Sequence, residues 1–142
     1  DTLLLFAESR IGTEDIRAAF EAYPGNGRPN SRMLSVVPHA PFSVTGAANA
    51  PGGGIFILER RYSLLGGVGT ELRHVATGDL QEGARLEGEM LTNLSFQDTN
   101  IDNMEGVAVR RGSKGETLLY MISDDNFSLL QRTLLLMFEL RR

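Results

Sequence analysis

Short apolar runs, each bounded by Gly, Asn or Pro, follow one another along almost the whole of this 142-residue chain. They are rich in Val, Ile, Leu, Phe and Tyr, and such runs between turn-forming residues are typical of β-strands. The pattern therefore predicts an all-β fold. The predicted strands cover residues 3–8, 32–37, 43–48, 54–61, 70–76, 85–94, 104–111, 116–123 and 132–140.

One segment departs from the strand pattern. Thr13, Glu14 and Asp15 form an N-capping sequence, apolar residues follow, and Pro24-Gly25 supplies a stop signal. These features favour at most one short helix near residues 13–23. A strand with an irregular lead-in explains the same residues, so both alternatives stay open.

Three of the apolar runs end in the same way. The runs at residues 4–8, 55–59 and 120–124 each close with Glu or Asp, and Gly46 and Gly106 lie in the segments that precede the second and third runs. This is an internal repeat, and its period of about 50 to 65 residues fits a four-stranded propeller blade with loop insertions. The sequence therefore predicts blades of a β-propeller whose terminal acids meet at one mouth of the central channel.

The number of strands limits how much of a propeller is present. Propellers close with about 4 to 8 blades, and these strands supply about two and a half to three. Residues 1–142 are thus expected to form a single partial domain, the C-terminal part of a larger propeller-like domain whose N-terminal blades are the natural partner. Alone, the open sheet edges are expected to self-associate.

Composition excludes several classes of partner. The net charge is −4 with Lys and Arg scattered among Asp and Glu, which argues against nucleic-acid binding. Cysteine is absent, so neither disulfides nor thiol catalysis is expected. No apolar stretch reaches the roughly 20 residues that span a bilayer. Because the chain opens at Asp1 within a strand-like pattern, we expect the natural protein to begin upstream, with any export signal there.

Four linked motifs lie in the order Leu58-Glu59-Arg60-Arg61-Tyr62-Ser63, Asn103-Met104-Glu105-Gly106, Ser123-Asp124-Asp125-Asn126-Phe127 and Gln131-Arg132-Thr133-Leu134-Leu135-Leu136. Together they resemble the C-terminal part of the bacterial esterase-like activity of phytase family, also called phytase-like domain proteins. The resemblance covers about residues 42–140, and Met104 stands where the family usually has Phe. It implies an exported protein, periplasmic or secreted, that hydrolyses a small ester or phosphoester, and a family domain about twice this length.

Oxygen-bearing side chains cluster in these motifs, and such ligands suit a hard cation such as calcium. Carboxylates from several blades that converge at one mouth would recruit the cation. Asp98 and Asn100 fit a polar turn better than an EF-hand. Asp124 and Asp125 are adjacent and point to opposite faces of a strand, so Asp124 is expected to bind directly and Asp125 to organise its loop. The residues predicted for the calcium site are Glu59, Asn103, Glu105, Asp124, Asp125 and Asn126.

Arg60 and Arg132 are the cations expected to face this acidic mouth, where a guanidinium can bind a substrate phosphate through two hydrogen bonds. An Arg that only neutralises a neighbouring acid is the structural alternative. Glu105 completes the predicted catalytic set. His39 and His74 are the two histidines, and no Ser is placed with either in a nucleophile motif, so a Ser-His-Asp hydrolase is not expected.

Two functions follow from these residues. The first is a metal-assisted hydrolase of phosphate or carboxyl esters, in which calcium neutralises the ester and orients water while an Arg stabilises the developing charge. The alternative is a non-catalytic propeller that binds a protein, a glycan or a small ligand, because the fold does not dictate the function.

Overall fold

The structure, a computed structural model, describes residues 3–10, 17–23, 30–64 and 66–141. Within these residues the chain forms short strands, one 3₁₀ turn at Thr77–Asp79 and one four-residue helix, α1, at Phe96–Thr99. The predicted all-β fold is confirmed. The strands are β1 Leu3–Arg10, β2 Arg17–Tyr23, β3 Asn30–Val36, β4 Ser43–Asn49, β5 Ile55–Ser63, β6 Gly67–Val75, β7 Arg85–Leu86, β8 Glu89–Ser95, β9 Met104–Arg111, β10 Thr117–Ser123 and β11 Leu135–Leu140.

The prediction of a short helix near residues 13–23 is wrong at residues 17–23. Residues 17–23 are strand β2, which pairs antiparallel with β1 on one side and β3 on the other. Ala19 is fully buried in the core, so burial between two strands overrides the local helix signal. The strand alternative is the correct one, and residues 11–16 lie outside the described part of the chain.

The strands form three sheets, and each sheet is built mainly from consecutive strands. Sheet 1 has the order β1-β2-β3-β7, sheet 2 the order β4-β5-β6-β8, and sheet 3 the order β9-β10-β11. Neighbours are antiparallel except for β3 and β7, which are parallel. Sheet 2 is a complete four-stranded unit, and the arrangement agrees with part of a propeller-like domain.

Gly88 explains why the predicted strand 85–94 is two strands. Its φ is +70°, and a Cβ at this position would lie 2.9 Å from the carbonyl oxygen of His74. A residue with a side chain would be strained in this conformation, whereas Gly adopts it readily. Gly88 therefore allows the chain to turn between β7 and β8. β7 thus pairs with β3 of sheet 1, while β8 completes sheet 2.

The first strands of sheets 2 and 3, β4 and β9, lie side by side. A Cβ added to Gly46 would lie 3.4 Å from the carbonyl oxygen of Glu105 and from the amide nitrogen of Val107. The predicted repeat holds for β5 and β10, because each is the second strand of its sheet. Among the described residues β1 pairs with β2 alone, so its position in the repeat stays a prediction.

Strand β5 supplies both hydrophobic cores. Ile55 and Ile57 pack in a cluster with residues of sheet 1, whereas Phe56 and Leu58 pack in a cluster with residues of sheet 3. Side chains alternate between the two faces of a strand. Because both faces of β5 are covered, all four residues are buried, which explains the continuous apolar run at residues 55–58.

Candidate functional site

The alternation of β5 continues past its apolar part and separates Glu59 from Arg60. Glu59 lies on the face toward sheet 1, where its carboxylate is 2.7 Å from the Nε atom of Arg73. Arg60 lies on the face toward sheet 3, where its Nε atom is 3.2 Å from a carboxylate oxygen of Glu105. Adjacent residues in a strand point to opposite faces, so these two motif residues belong to different sites.

Glu105 is held in place from two directions. Asn103 donates a hydrogen bond from its side-chain amide to the Glu105 carboxylate at 2.5 Å, and Arg60 forms the ion pair from β5. The Arg60 and Glu105 side chains are each 34 % exposed, whereas Asn103 is buried. A buried amide thus orients a carboxylate that solvent and a small ligand can reach.

Asp102 anchors the segment that carries Asn103. Its carboxylate accepts hydrogen bonds from the backbone N–H groups of Asn103, at 2.9 Å, and Arg132, at 3.0 Å. The Arg132 guanidinium lies 3.6 Å from the same carboxylate and donates to the backbone and side-chain oxygens of Asn100, both at 3.1 Å. Arg132, predicted as a catalytic cation, therefore joins two loops here, and its catalytic role stays a prediction.

The loop after β10 is organised by its own acids. The Asp124 carboxylate accepts a hydrogen bond from the backbone of Asn126 at 3.1 Å, and the Asp125 carboxylate accepts one from the backbone of Phe127 at 2.9 Å. Asn126 and Phe127 have φ values of +48° and +57°, a conformation that such side-chain bonds help to hold. Asp125 thus has the predicted organising role, and Asp124 shares it.

A pocket of about 470 Å³ lies where these loops meet the ends of β5 and β6. Its lining includes both polar and apolar side chains, and Arg60 is one of the polar ones. This pocket, called the β5–β9 pocket below, is lined by residues that include Arg60, Tyr62, Phe96, Asn103, Asn126 and Leu130.

The structure brings together some of the predicted site residues and separates others. Glu105 contacts both Arg60 and Asn103, and these two residues line the same pocket as Asn126. Glu59 does not share this face. The side chains of Glu8 and Asp98 lie outside the described part of the structure.

A second polar group, the Glu59–Glu71 cluster, lies between sheets 1 and 2. Glu59 and Glu71 are opposite each other in the β5–β6 pair and both are buried. Glu71 lies 2.8 Å from the Nδ1 atom of His39 and accepts a hydrogen bond from the side chain of Asn93 at 2.6 Å. Arg73 completes the cluster through its ion pair with Glu59 and its hydrogen bond to the carbonyl oxygen of Val37.

Burial raises the pKa of Glu59, and the adjacent Arg73 guanidinium opposes that rise. The charge of Glu71 raises it further by a smaller amount. Sequence reasoning missed Glu71, Arg73 and His39 as partners. The available signal was the alternation of β6, which places Glu71 and Arg73 on one face, but the position of Glu71 opposite Glu59 depends on the hairpin register.

The predicted calcium ligands do not converge in this arrangement. Calcium takes about six to eight oxygen ligands. Glu59 is bound to Arg73, Glu105 to Arg60 and Asn103, and Asp124 to the backbone of its own loop. Among the described residues, no group of three or more His, Cys, Asp or Glu side chains is placed to hold a metal ion. The described residues do not converge on one calcium site in this arrangement, and calcium binding stays a prediction.

Comparison with known proteins gives one match. The family model described as "Phytase-like: Esterase-like activity of phytase" matches residues 2–127. No curated protein and no solved structure matches the chain. Within the described ranges, none of the helices is long and apolar enough to cross a membrane.

Proposed function

The chain belongs to the family described as esterase-like activity of phytase, and from that premise we propose that it hydrolyses phosphate or carboxyl esters in the β5–β9 pocket. The observation that carries the proposal is the contact of Arg60 with Glu105 beside this pocket. A guanidinium and a carboxylate at a partly open cavity supply a charge stabiliser and a base, the two groups that ester hydrolysis needs.

Glu105 is the proposed general base. Asn103 and Arg60 fix its carboxylate, which is still one-third exposed and can reach a water molecule. The carboxylate takes a proton from the water as the water oxygen bonds to the carbonyl carbon or the phosphorus of the ester. When the bond to the leaving oxygen breaks, the proton passes to that oxygen and the alcohol departs. General base catalysis of this kind contributes about 10²–10⁴-fold in rate.

Arg60 is the proposed charge stabiliser. Its ion pair with Glu105 uses the Nε edge of the guanidinium. The two terminal nitrogens form no hydrogen bond within the described residues. Because the guanidinium is planar and rigid, their N–H groups have a fixed geometry. They can donate to the ester oxygen on which negative charge develops during attack, which lowers the barrier more than it strengthens substrate binding.

The test is an assay of the purified protein against p-nitrophenyl phosphate and p-nitrophenyl esters of carboxylic acids. Glu105→Gln removes the base but preserves the side-chain shape, so we expect kcat/KM to fall by about 10²-fold or more. Glu139→Gln is the matched control, because Glu139 also lies in sheet 3 and pairs with an Arg. Its partner Arg141 does not line the pocket, whereas both partners of Glu105, Arg60 and Asn103, do. We expect the control to keep full activity.

Either of two results overturns the proposal. One is that no ester in the series is hydrolysed. The other is that Glu105→Gln and Glu139→Gln have the same rate as the unaltered protein at equal thermal stability.

A non-catalytic binding domain is the second candidate. It is favoured by the exposed apolar side chains on and beside the loop that follows β10, among them Phe127, Leu129 and Leu130. Exposed apolar residues gathered at one edge of a cavity mark sites of binding. This function predicts that a ligand raises the melting temperature without being turned over. Export to the periplasm or beyond the cell is also proposed, from the family membership alone.

A further inference from the structure

We propose that the β5–β9 pocket takes an uncharged carboxyl ester with an apolar acyl group in preference to a polyphosphorylated alcohol. This inference rests on the proposed function for the reaction and on the lining of the pocket for the substrate class. It goes against the expectation that the word phytase in the family description creates.

The charges at the pocket balance. Among the described lining residues, Arg60 is the one cation and Asp102 the one acid. Each already has a partner of opposite charge, Glu105 and Arg132 respectively. An inositol polyphosphate carries many negative charges, and binding it requires several Arg or Lys side chains, each free to pair with a phosphate. One guanidinium shared with a carboxylate does not meet that need, and both acids would repel the added phosphates.

An uncharged ester avoids this repulsion. Its carbonyl oxygen gains negative charge only as water attacks, and a single guanidinium suffices to stabilise that charge. One guanidinium, that of Arg60, therefore suffices for the one oxyanion that develops. The adjacent Glu105 takes the proton, so no charge enters or leaves the pocket during the attack.

The apolar part of the lining indicates the other half of the substrate. Tyr62, Phe96 and Leu130 line the pocket and are all exposed large hydrophobic residues, with Leu130 93 % exposed. Covering them with an apolar chain removes their surface and that of the chain from water. Each methylene group that becomes buried tightens binding by about fourfold. An acyl chain that extends from Arg60 toward Leu130 thus increases affinity with its length.

Two neighbouring leucines supply a matched pair of variants. Leu129 and Leu130 lie in the same loop and are both exposed, but Leu130 lines the pocket and Leu129 is not among its lining residues. Leu130→Ser removes apolar surface from the proposed acyl site. Leu129→Ser makes the same chemical change outside it, and neither residue belongs to the buried core.

The experiment compares p-nitrophenyl acetate, butyrate and octanoate, which share a leaving group, with p-nitrophenyl phosphate and inositol hexakisphosphate. We expect kcat/KM to rise at least about tenfold from acetate to octanoate and to exceed the values for both phosphates. Leu130→Ser should reduce this chain-length effect, while Leu129→Ser should leave it intact. Faster turnover of inositol hexakisphosphate than of the octanoate ester would overturn the inference, as would equal behaviour of the two leucine variants.

If no ester is hydrolysed, the proposed function fails, and the substrate class is then decided by binding. The same esters serve as ligands in titration calorimetry. Tighter binding of the octanoate ester than of the acetate ester, lost in Leu130→Ser and kept in Leu129→Ser, supports the apolar site without any reaction. Tighter binding of inositol hexakisphosphate than of the octanoate ester rejects it.

Discussion

The Arg60 guanidinium lies 3.2 Å from the Glu105 carboxylate, and this ion pair joins β5 of sheet 2 to β9 of sheet 3. The pair therefore exists only because two sheets pack side by side. Both side chains are partly exposed, so its direct contribution to stability is small, at about 0–1 kcal/mol. Its position beside the β5–β9 pocket suits it to chemistry more than to holding the sheets together.

Asp102 is expected to matter for stability. Its buried carboxylate accepts hydrogen bonds from two backbone N–H groups, and Asp102→Asn would turn an amide N–H₂ group toward one of these donors. A buried donor left without an acceptor costs about 1–3 kcal/mol. Urea denaturation should show this loss in the free energy of unfolding. The control is Asp79→Asn, which changes an exposed acid and should shift the free energy of unfolding by less than about 0.5 kcal/mol. Equal losses in the two variants would contradict the anchoring role of Asp102.

Gly46 tests the contact between the first strands of sheets 2 and 3. A Cβ there already lies 3.4 Å from the backbone of β9, so the larger side chain of Gly46→Val must push β4 and β9 apart. The expected loss in the free energy of unfolding is about 1–3 kcal/mol. A Cβ added to Gly52 would have no atom within 4 Å, so Gly52→Val is the control. If thermal unfolding of the two variants is the same, the packing of these strands is different from that described.

Because of Glu59, the free energy of unfolding should fall as pH rises above 4.5. Its folded pKa is raised above 4.5, so between 4.5 and the raised value the folded protein binds more protons than the unfolded chain. The contribution of Glu59 to the free energy of unfolding therefore falls as pH rises through this window. Glu59→Gln cannot ionise and should lose this fall. Urea midpoints measured from pH 4.5 to neutrality would show it, with exposed Glu89→Gln as the control; parallel curves for the unaltered protein and Glu59→Gln would refute the assignment.

Calcium binding is expected to depend on Glu105 and not on Glu59. Glu105 is partly exposed and contacts Arg60, which lines the pocket, whereas Glu59 is buried against Arg73 on the other face of β5. In titration calorimetry, Glu105→Gln should weaken any calcium binding and Glu59→Gln should leave it unchanged. A protein that takes up no calcium would show that the sequence-based metal prediction is wrong. Loss of calcium binding in both variants would show that the two acids share one site.

The local sequence was sufficient to predict most of the strands and the correspondence between β5 and β10. It also singled out Arg60, Asn103 and Glu105, which the fold brings into contact. It was insufficient at residues 17–23, where a capping sequence imitates a helix start and pairing with two strands decides the outcome. The Glu59–Glu71 cluster was missed because its members lie on different segments, and only the register of β5 against β6 makes them neighbours.

The all-β class follows from local sequence alone, because apolar runs of strand length between turn residues leave the backbone few other ways to bury them. The local sequence also determines that Glu59 and Arg60 point in opposite directions, since side chains alternate along any strand. The residues that Glu59 and Arg60 contact depend, in contrast, on how the sheets pack. Sheet 1 covers one face of β5 and sheet 3 the other, and that choice depends on contacts between residues far apart in the chain, which no local pattern contains.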